Sequence, residues 1–241
     1  WYATFDIADA FFTIPIAPEC RLQFAFTWRG VQYTCNRLFQ GWKHSPTICH
    51  GLIHDTLETG GAPEHLQYID DIIVWGDTAK EVFEKGKKKI QILLKAGFDI
   101  KRRKVKGPAQ EIQFLGVKCQ DGRCHIPMDV ITKITAMAPP ATKKEIQSFL
   151  GTVGFWRMHI PTYNQIVKPL YEVTRKKKDF KWGSEQQIAF ESIKQEIVQA
   201  MALGPIRTGP DIKNVLYTRA GNDRPTWQIA PGETRCRPLG F

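Results

Sequence analysis

Two adjacent aspartates, Asp70 and Asp71, stand between apolar segments: Tyr68-Ile69 before them and Ile72-Ile73-Val74-Trp75 after. A third, Asp6, ends the run Tyr2-Ala3-Thr4-Phe5 and precedes Ile7. Neighbouring carboxylates repel one another, and burying them costs free energy unless a cation compensates. Two divalent ions ~3.5–4 Å apart would neutralise such a cluster and promote in-line phosphoryl displacement. Spacing alone leaves a plainer reading open, in which Asp70-Asp71 is the polar tip between two short strands running from Leu66 to Trp75.

The surrounding pattern predicts a mixed α/β block. Leu22, Phe24, Phe26 and Trp28 alternate with polar or small residues, the period of a half-buried strand, and Val31 to Cys35 returns after a turn at Arg29-Gly30. Ser45-Pro46 reads as an N-cap followed by proline at the first helical position, with Ile48, Leu52, Ile53 and Leu57 as the apolar face. Asp77 reads as the cap of a helix carried by Val82, Phe83, Ile90, Leu93 and Leu94. Phe114 to Val117 reads as a strand, and Asp121-Gly122 as a hairpin turn that sets Cys119 opposite Cys124. In a reducing interior those two pack as thiols.

Beyond a linker at Ala138-Pro139-Pro140 the pattern turns helical. Thr142 with Glu145, and Ser184 with Gln187, read as capping boxes, and the second helix buries Ile188, Ile193 and Ile197. Short strands return at Asn214 to Tyr217, Thr226 to Ile229, and from Leu239 onward.

The chain has 241 residues, 42% of them hydrophobic, enough for a sizeable core. No apolar run approaches the ~20 residues of a membrane span, and no signal peptide is visible, so the expected setting is intracellular with no membrane partner. A net charge of +10 suits a polyanionic partner. The charge is concentrated: Lys85 to Lys106 holds ten Lys or Arg against one acid, Asp99, and Arg175 to Lys178 forms a second cluster. Each cluster reads equally well as a solvated face. The six cysteines form no CxxC pair, against a zinc module. His50 and His54, at i, i+4 on a helix, suit one metal, but Gly51 stands where a zinc protease needs its glutamate; two surface or interfacial histidines are the stronger reading.

Four segments together resemble the retroviral-type reverse transcriptases. Phe5-Asp6-Ile7-Ala8-Asp9-Ala10-Phe11-Phe12 resembles their first palm motif, and Leu38-Phe39-Gln40-Gly41-Trp42-Lys43-His44-Ser45-Pro46 the second. Tyr68-Ile69-Asp70-Asp71 resembles the Y-x-DD hairpin, and Phe114-Leu115-Gly116 the primer-grip strand. The likeness continues at Phe149 to Arg157 and Lys168 to Tyr171, in the manner of an endogenous retroviral Pol protein.

The resemblance implies an α+β fold. Residues 1–127 would be a right-hand polymerase palm with part of the fingers (a hairpin at about 18–37), its antiparallel sheet backed by the Ser45 and Asp77 helices. Residues 128–204 would be a helical thumb and the entry to the connection, with the helix from Thr142 to His159 tracking the template–primer, and 205–241 a truncated ribonuclease H-like or connection segment. The implied activity is RNA-directed DNA polymerisation with dNTPs on an RNA or DNA template–primer. Asp6, Asp70 and Asp71, with the backbone carbonyl of Ile7, would hold two Mg²⁺ ions, Mn²⁺ being a substitute. Phe11 would lie under the incoming sugar, and Gln40 and Lys104 would touch the nucleotide. Tyr68, Phe114, Leu115 and Gly116 would contact the primer, and Asp9 would be supporting rather than catalytic.

Two departures qualify the resemblance. The family's basic fingers segment before the first motif is not among these residues, so a fragment of weak or no activity is expected. The stretch Tyr217-Thr218-Arg219-Ala220 lacks the acid a ribonuclease H carries there, so no RNA cleavage is expected. The alternative is a non-enzymatic template–primer-binding remnant or partner subunit.

Overall fold

The computed structural model describes residues 1–175 and 179–204 in full and the backbone of Asn214–Arg219 and Thr226–Pro231. Lys176 to Lys178, Ala220 and the strand expected from Leu239 lie outside the described residues. The chain divides into two compact units, Trp1–Asp121 and Gly122–Phe241.

In the first unit the chain runs β1 (Tyr2–Asp6), α1 (Ala10–Thr13), β2 (Phe26–Trp28), β3 (Val31–Tyr33), α2 (Ser45–Thr59), β4 (Leu66–Tyr68), β5 (Asp71–Trp75), α3 (Ala79–Lys95), β6 (Lys106–Ala109), β7 (Glu111–Phe114) and β8 (Val117–Gln120). An antiparallel sheet in the order β4-β5-β1-β6 forms its centre. Successive strand residues point to opposite faces, so β1 sends Ala3 and Phe5 one way and Tyr2, Thr4 and Asp6 the other. Phe5 joins Ile72 and Val74 of β5 in a core with Cys49, Ile53 and Leu57 of α2 and Val82 and Leu93 of α3. The opposite face is covered further along by the β7–β8 hairpin, where Ile73 packs with Ile112 and Phe114. Covering on both faces is why Ile72, Ile73 and Val74 are all buried.

Several local expectations change. Pro18–Phe24 is a 3₁₀ helix, and only Phe26–Trp28 is extended; the apolar alternation there ends in an exposed hairpin, with Trp28 60% exposed. His44 rather than Ser45 is the N-cap of α2, whose face is Cys49, Ile53 and Leu57, while Ile48 and Leu52 are exposed. Thr78, not Asp77, caps α3 by accepting from the Glu81 N–H at 3.2 Å, and Glu81 accepts from the Asp77 N–H at 3.0 Å. Phe83 and Leu94 are exposed on that helix. Phe114 to Val117 is a tight turn rather than a strand, because Leu115 (φ 50) and Gly116 (φ 79) both take left-handed backbone between β7 and β8.

Strand β6, absent from the sequence reading, edges the sheet through Gly107-Pro108. Gly107 has φ +89, and a Cβ there would lie 2.4 Å from the Tyr2 carbonyl oxygen. Only glycine allows that approach.

The second unit holds β9 (Arg123–His125), α4 (Met128–Thr135), α5 (Lys143–Phe155), α6 (Tyr163–Thr174), α7 (Ser184–Val198) and an antiparallel pair, β10 (Asn214–Arg219) with β11 (Thr226–Pro231). Half of the Thr142 capping box forms: its hydroxyl accepts from the Glu145 N–H at 3.2 Å, while the Glu145 carboxylate accepts from the Ala141 N–H at 2.8 Å rather than from Thr142. At α7 the cap shifts to Gly183, whose N–H donates to Gln186 Oε1 at 3.0 Å. The buried face of α7 is Ala189, Phe190, Ile193 and Ile197, spaced i, i+1, i+4 and i+8, and Ile188 lies outside it and is exposed. Cys124 keeps a free thiol, and its backbone bridges to Leu203. Among the described residues no helix is long and apolar enough to cross a membrane.

Candidate active site

The acidic residues meet where β1 ends and β5 begins. Asp6 is the register partner of Asp71, so both leave the sheet on one face, the face away from α2 and α3. Asp70 is not a strand residue. It forms, with Ile69, the two-residue turn between Tyr68 and Asp71. Its carbonyl accepts from the Ile7 N–H at 3.0 Å, tying the turn to the end of β1. The polar tip is therefore Ile69-Asp70, and Asp71 is already in β5.

Burial raises the Asp70 carboxyl above its ordinary range; Asp6 adds to this, and Lys104 opposes it. Asp71 is raised for the same first reason, with Asp70 and Asp6 adding repulsion. Beneath them Cys49, buried on α2, has its thiol pushed up to about 11 by burial and by Asp70. In all three the first cause is burial, and repulsion among the acidic groups adds to it.

The compensation present is lysine. Arg102–Lys104 is a short 3₁₀ turn that delivers Lys104 Nζ to Asp6 Oδ2. The hydrogen bond and charge of Asp6 raise the Lys104 pKa, keeping the ammonium protonated. Lys101 pairs with Asp9 Oδ2 at 3.0 Å, and Asp9 itself precedes α1 in left-handed backbone (φ 51).

A hollow opens at this corner. Asp6, Ile7, Asp70, Phe11, Gln40 and Lys104 line it, together with Arg103 and Lys101. Phe11 is half-buried and packs against the core, whereas Phe12 is exposed. Gln40 arrives on the loop before α2, where Gly41 (φ +100) turns the chain and Ser45 Oγ donates to the Phe39 carbonyl at 2.6 Å. The expected catalytic and nucleotide residues are therefore neighbours in space. Tyr68 stands half exposed on β4, and Phe114, Leu115 and Gly116 sit at the β7–β8 turn, away from the hollow's lining.

The structure separates the basic cluster of Lys85 to Lys106 into distinct jobs. Lys85 pairs with Glu81 at 2.6 Å, Lys101 and Lys104 face the acids, and Lys89 is fully buried, donating to the carbonyls of Pro63 and Glu64. His50 and His54 are not a metal pair: His50 Nδ1 accepts from the Ile69 N–H at 3.3 Å, and His54 Nε2 pairs with Glu58 at 3.3 Å. Arg103 in the hollow belongs to the basic cluster that the sequence leaves open between a phosphate contact and a solvated face, and the places of His50 and Gln67 behind the turn have no sequence signal.

Comparison with known proteins decides the family. The profile described as Reverse transcriptase (RNA-dependent DNA polymerase) matches residues 1–119. Through those residues the chain belongs to the reverse transcriptase family. The Gag-Pol polyprotein of Baboon endogenous virus (strain M7) is 34% identical over 232 residues, covering 92% of this chain and 13% of that protein. The Gag-Pol polyprotein of Feline leukemia virus is 35% identical over 214 residues, covering 85% of this chain and 12% of that protein. The chain thus spans a small part of these relatives, and its reverse transcriptase domain is homologous to those of retroviral RNA-directed DNA polymerases. Among solved structures, a foamy viral protease-reverse transcriptase in complex with RNA/DNA hybrid superposes with a TM-score of 0.83 at 28% identity, covering 95% of this chain and 31% of that one. A second, the dRH form in complex with double-stranded DNA, gives a TM-score of 0.82 at 28% identity, with 95% and 40% covered. The expected α+β reverse transcriptase fold is the one found.

Proposed function

We propose that this chain carries the catalytic centre of an RNA-directed DNA polymerase, extending a primer 3′-hydroxyl with deoxynucleotides. The observation that carries it is the pairing of Asp6 with Asp71 across β1 and β5, with Asp70 in the adjoining turn, beside a hollow lined by Phe11, Gln40 and Lys104.

The donor set suits hard divalent ions: three carboxylates, two of them raised by burial and mutual repulsion. Among the described residues these side chains do not converge as a ready-made cage, and Lys104 occupies the cation's place on Asp6. Asp6, Asp70 and Asp71 would hold Mg²⁺ or Mn²⁺, with the Ile7 carbonyl beside them. Two ions bound there would supply acidification of the attacking hydroxyl and charge stabilisation of the leaving pyrophosphate.

The chain's own groups supply the rest. Lys104, protonated beside Asp6, would turn to the triphosphate and deliver a proton to the leaving pyrophosphate. Arg103 and Lys101 add positive charge to the same hollow. Phe11, fixed by the core behind it, would lie under the sugar and clash with a 2′-hydroxyl. Tyr68 and the Phe114-Leu115-Gly116 turn would contact the primer, and α5 would follow the duplex through its backbone, as a sequence-indifferent polymerase requires. The RNA/DNA hybrid and double-stranded DNA bound by the structural neighbours support this class of partner.

The test is Mn²⁺ binding followed by electron paramagnetic resonance on the chain bound to a template–primer with a dideoxy-terminated primer. Saturable uptake that weakens in Asp6→Asn and Asp70→Asn supports the reading. The lysine on Asp6 favours one second reading, a template–primer-binding remnant. Salt-sensitive duplex binding that persists in chelator, with no carboxylate-dependent Mn²⁺ uptake, would select it.

A further inference from the structure

The turn that presents Asp70 contains a residue in a conformation its side chain resists. Ile69 has φ 56, in left-handed backbone, and occupies the first central position of a two-residue hairpin turn. Glycine ordinarily serves there. A β-branched residue in that region is an outlier that persists only when its surroundings hold it.

Those surroundings can be named. The Ile69 N–H donates to His50 Nδ1 at 3.3 Å. The Ile69 carbonyl accepts from Gln67 Nε2 at 2.9 Å, and the same amide donates to the His50 carbonyl at 3.1 Å. Both polar backbone groups of Ile69 are thus held by side chains, one from α2 and one from β4. The Ile69 side chain packs against the core below. Because Nδ1 accepts, the His50 ring carries its proton on Nε2.

Gln67 retains an unpaired group in this arrangement. Its Oε1 is buried and has no hydrogen-bond partner among the described residues. Rotating the amide to relieve that atom would point oxygen at two carbonyls. A buried polar atom left unpaired in a native fold calls for an explanation, and the clamp on Ile69 is one.

We infer that His50 and Gln67 are positioning residues for Asp70: they brace the strained Ile69 backbone and so fix the carboxylate that follows it. The inference rests on the reading of Asp70 as a metal ligand for its consequence, but not for the brace itself. His50 therefore has work that neither a surface histidine nor a metal ligand would do.

The test uses His50→Leu, which removes the acceptor, and His50→Asn, whose Oδ1 replaces Nδ1 in nearly the same place. Hydrogen exchange of the 66–73 segment is read without metal, and Mn²⁺ affinity on template–primer is read separately. His50→Leu should speed exchange of the segment by about tenfold, the size of one lost hydrogen bond, and His50→Asn should restore it. Gln67→Glu, which aims carboxylate oxygens at two carbonyls, should behave like His50→Leu. In an Ile69→Gly background, where left-handed backbone costs little, His50→Leu should lose most of its effect. Unchanged exchange in His50→Leu, an Asn variant no better than Leu, or an undiminished effect in the glycine background would each overturn the brace. Normal exchange results alongside wild-type Mn²⁺ uptake that no carboxylate variant alters would keep the brace and reject the metal reading instead.

Discussion

Lys104 donates its ammonium to Asp6 Oδ2 across 98 residues of sequence, and the two line the same hollow. A lysine that neutralises a prospective metal ligand competes with the metal. Replacing Lys104 by Met should therefore strengthen Mn²⁺ binding at low ionic strength. The same substitution should slow nucleotide addition by about 10²-fold or more, the usual scale of a lost general acid. Metal titration and single-turnover kinetics on one protein separate the two effects.

Phe11 is held from behind by the core and lines the hollow in front. Phe11→Val should open the space under the sugar, cutting the preference for deoxynucleotides over ribonucleotides by at least about tenfold. Competition between dNTP and NTP on one primer checks this.

Lys89 is fully buried, and its pKa is lowered to about 8, first by burial and then by Lys85 and Lys88. The folded pKa lies below the unfolded one, so the cost of burying the ammonium is present in full below pH 8. Between about pH 8 and 10 the unfolded chain binds the additional proton, and stability should rise with pH. Lys89→Met should flatten that rise. Thermal unfolding of both proteins across this range measures it.

On α7, Ile193 is fully buried and Ile188 is 66% exposed. Ile193→Ala should cost about 2–5 kcal/mol, and Ile188→Ala should stay within about 0.5 kcal/mol. Denaturant unfolding of the two variants distinguishes them, and equal costs would reject the register of this helix.

What the sequence revealed and what it hid have physical reasons. Carboxylates set among apolar residues are conspicuous because burial makes them costly, so Asp6, Asp70 and Asp71 stand out in the sequence alone. The meeting of Asp6 with Asp71 is a matter of register and follows once both strands are recognised. Strand β6 was hidden because Gly107-Pro108 reads as a breaker, and its place depends on a contact with Tyr2 far away in sequence. The alternation from Leu22 to Trp28 misled because periodicity records which residues are apolar, not whether a partner covers them. On α7, Ile188 stands five residues before Ile193 and falls off the face that Ala189, Phe190, Ile193 and Ile197 share, so an apolar residue there marks no burial. The clamp on Ile69 has no signature in the local sequence, since half of it comes from His50 on α2, 19 residues away, and joins Gln67 of β4 only in the folded chain.

The most direct measurement is single-turnover addition of one dNTP to a primer on an RNA template, with protein in excess and Mg²⁺ or Mn²⁺ present. The wild-type chain should add the nucleotide, even slowly, and only with metal. Asp70→Asn and Asp6→Asn should abolish addition, while Asp129→Asn, exposed on α4, should not. Equal addition by Asp70→Asn and the wild-type chain would contradict a catalytic centre built on these carboxylates.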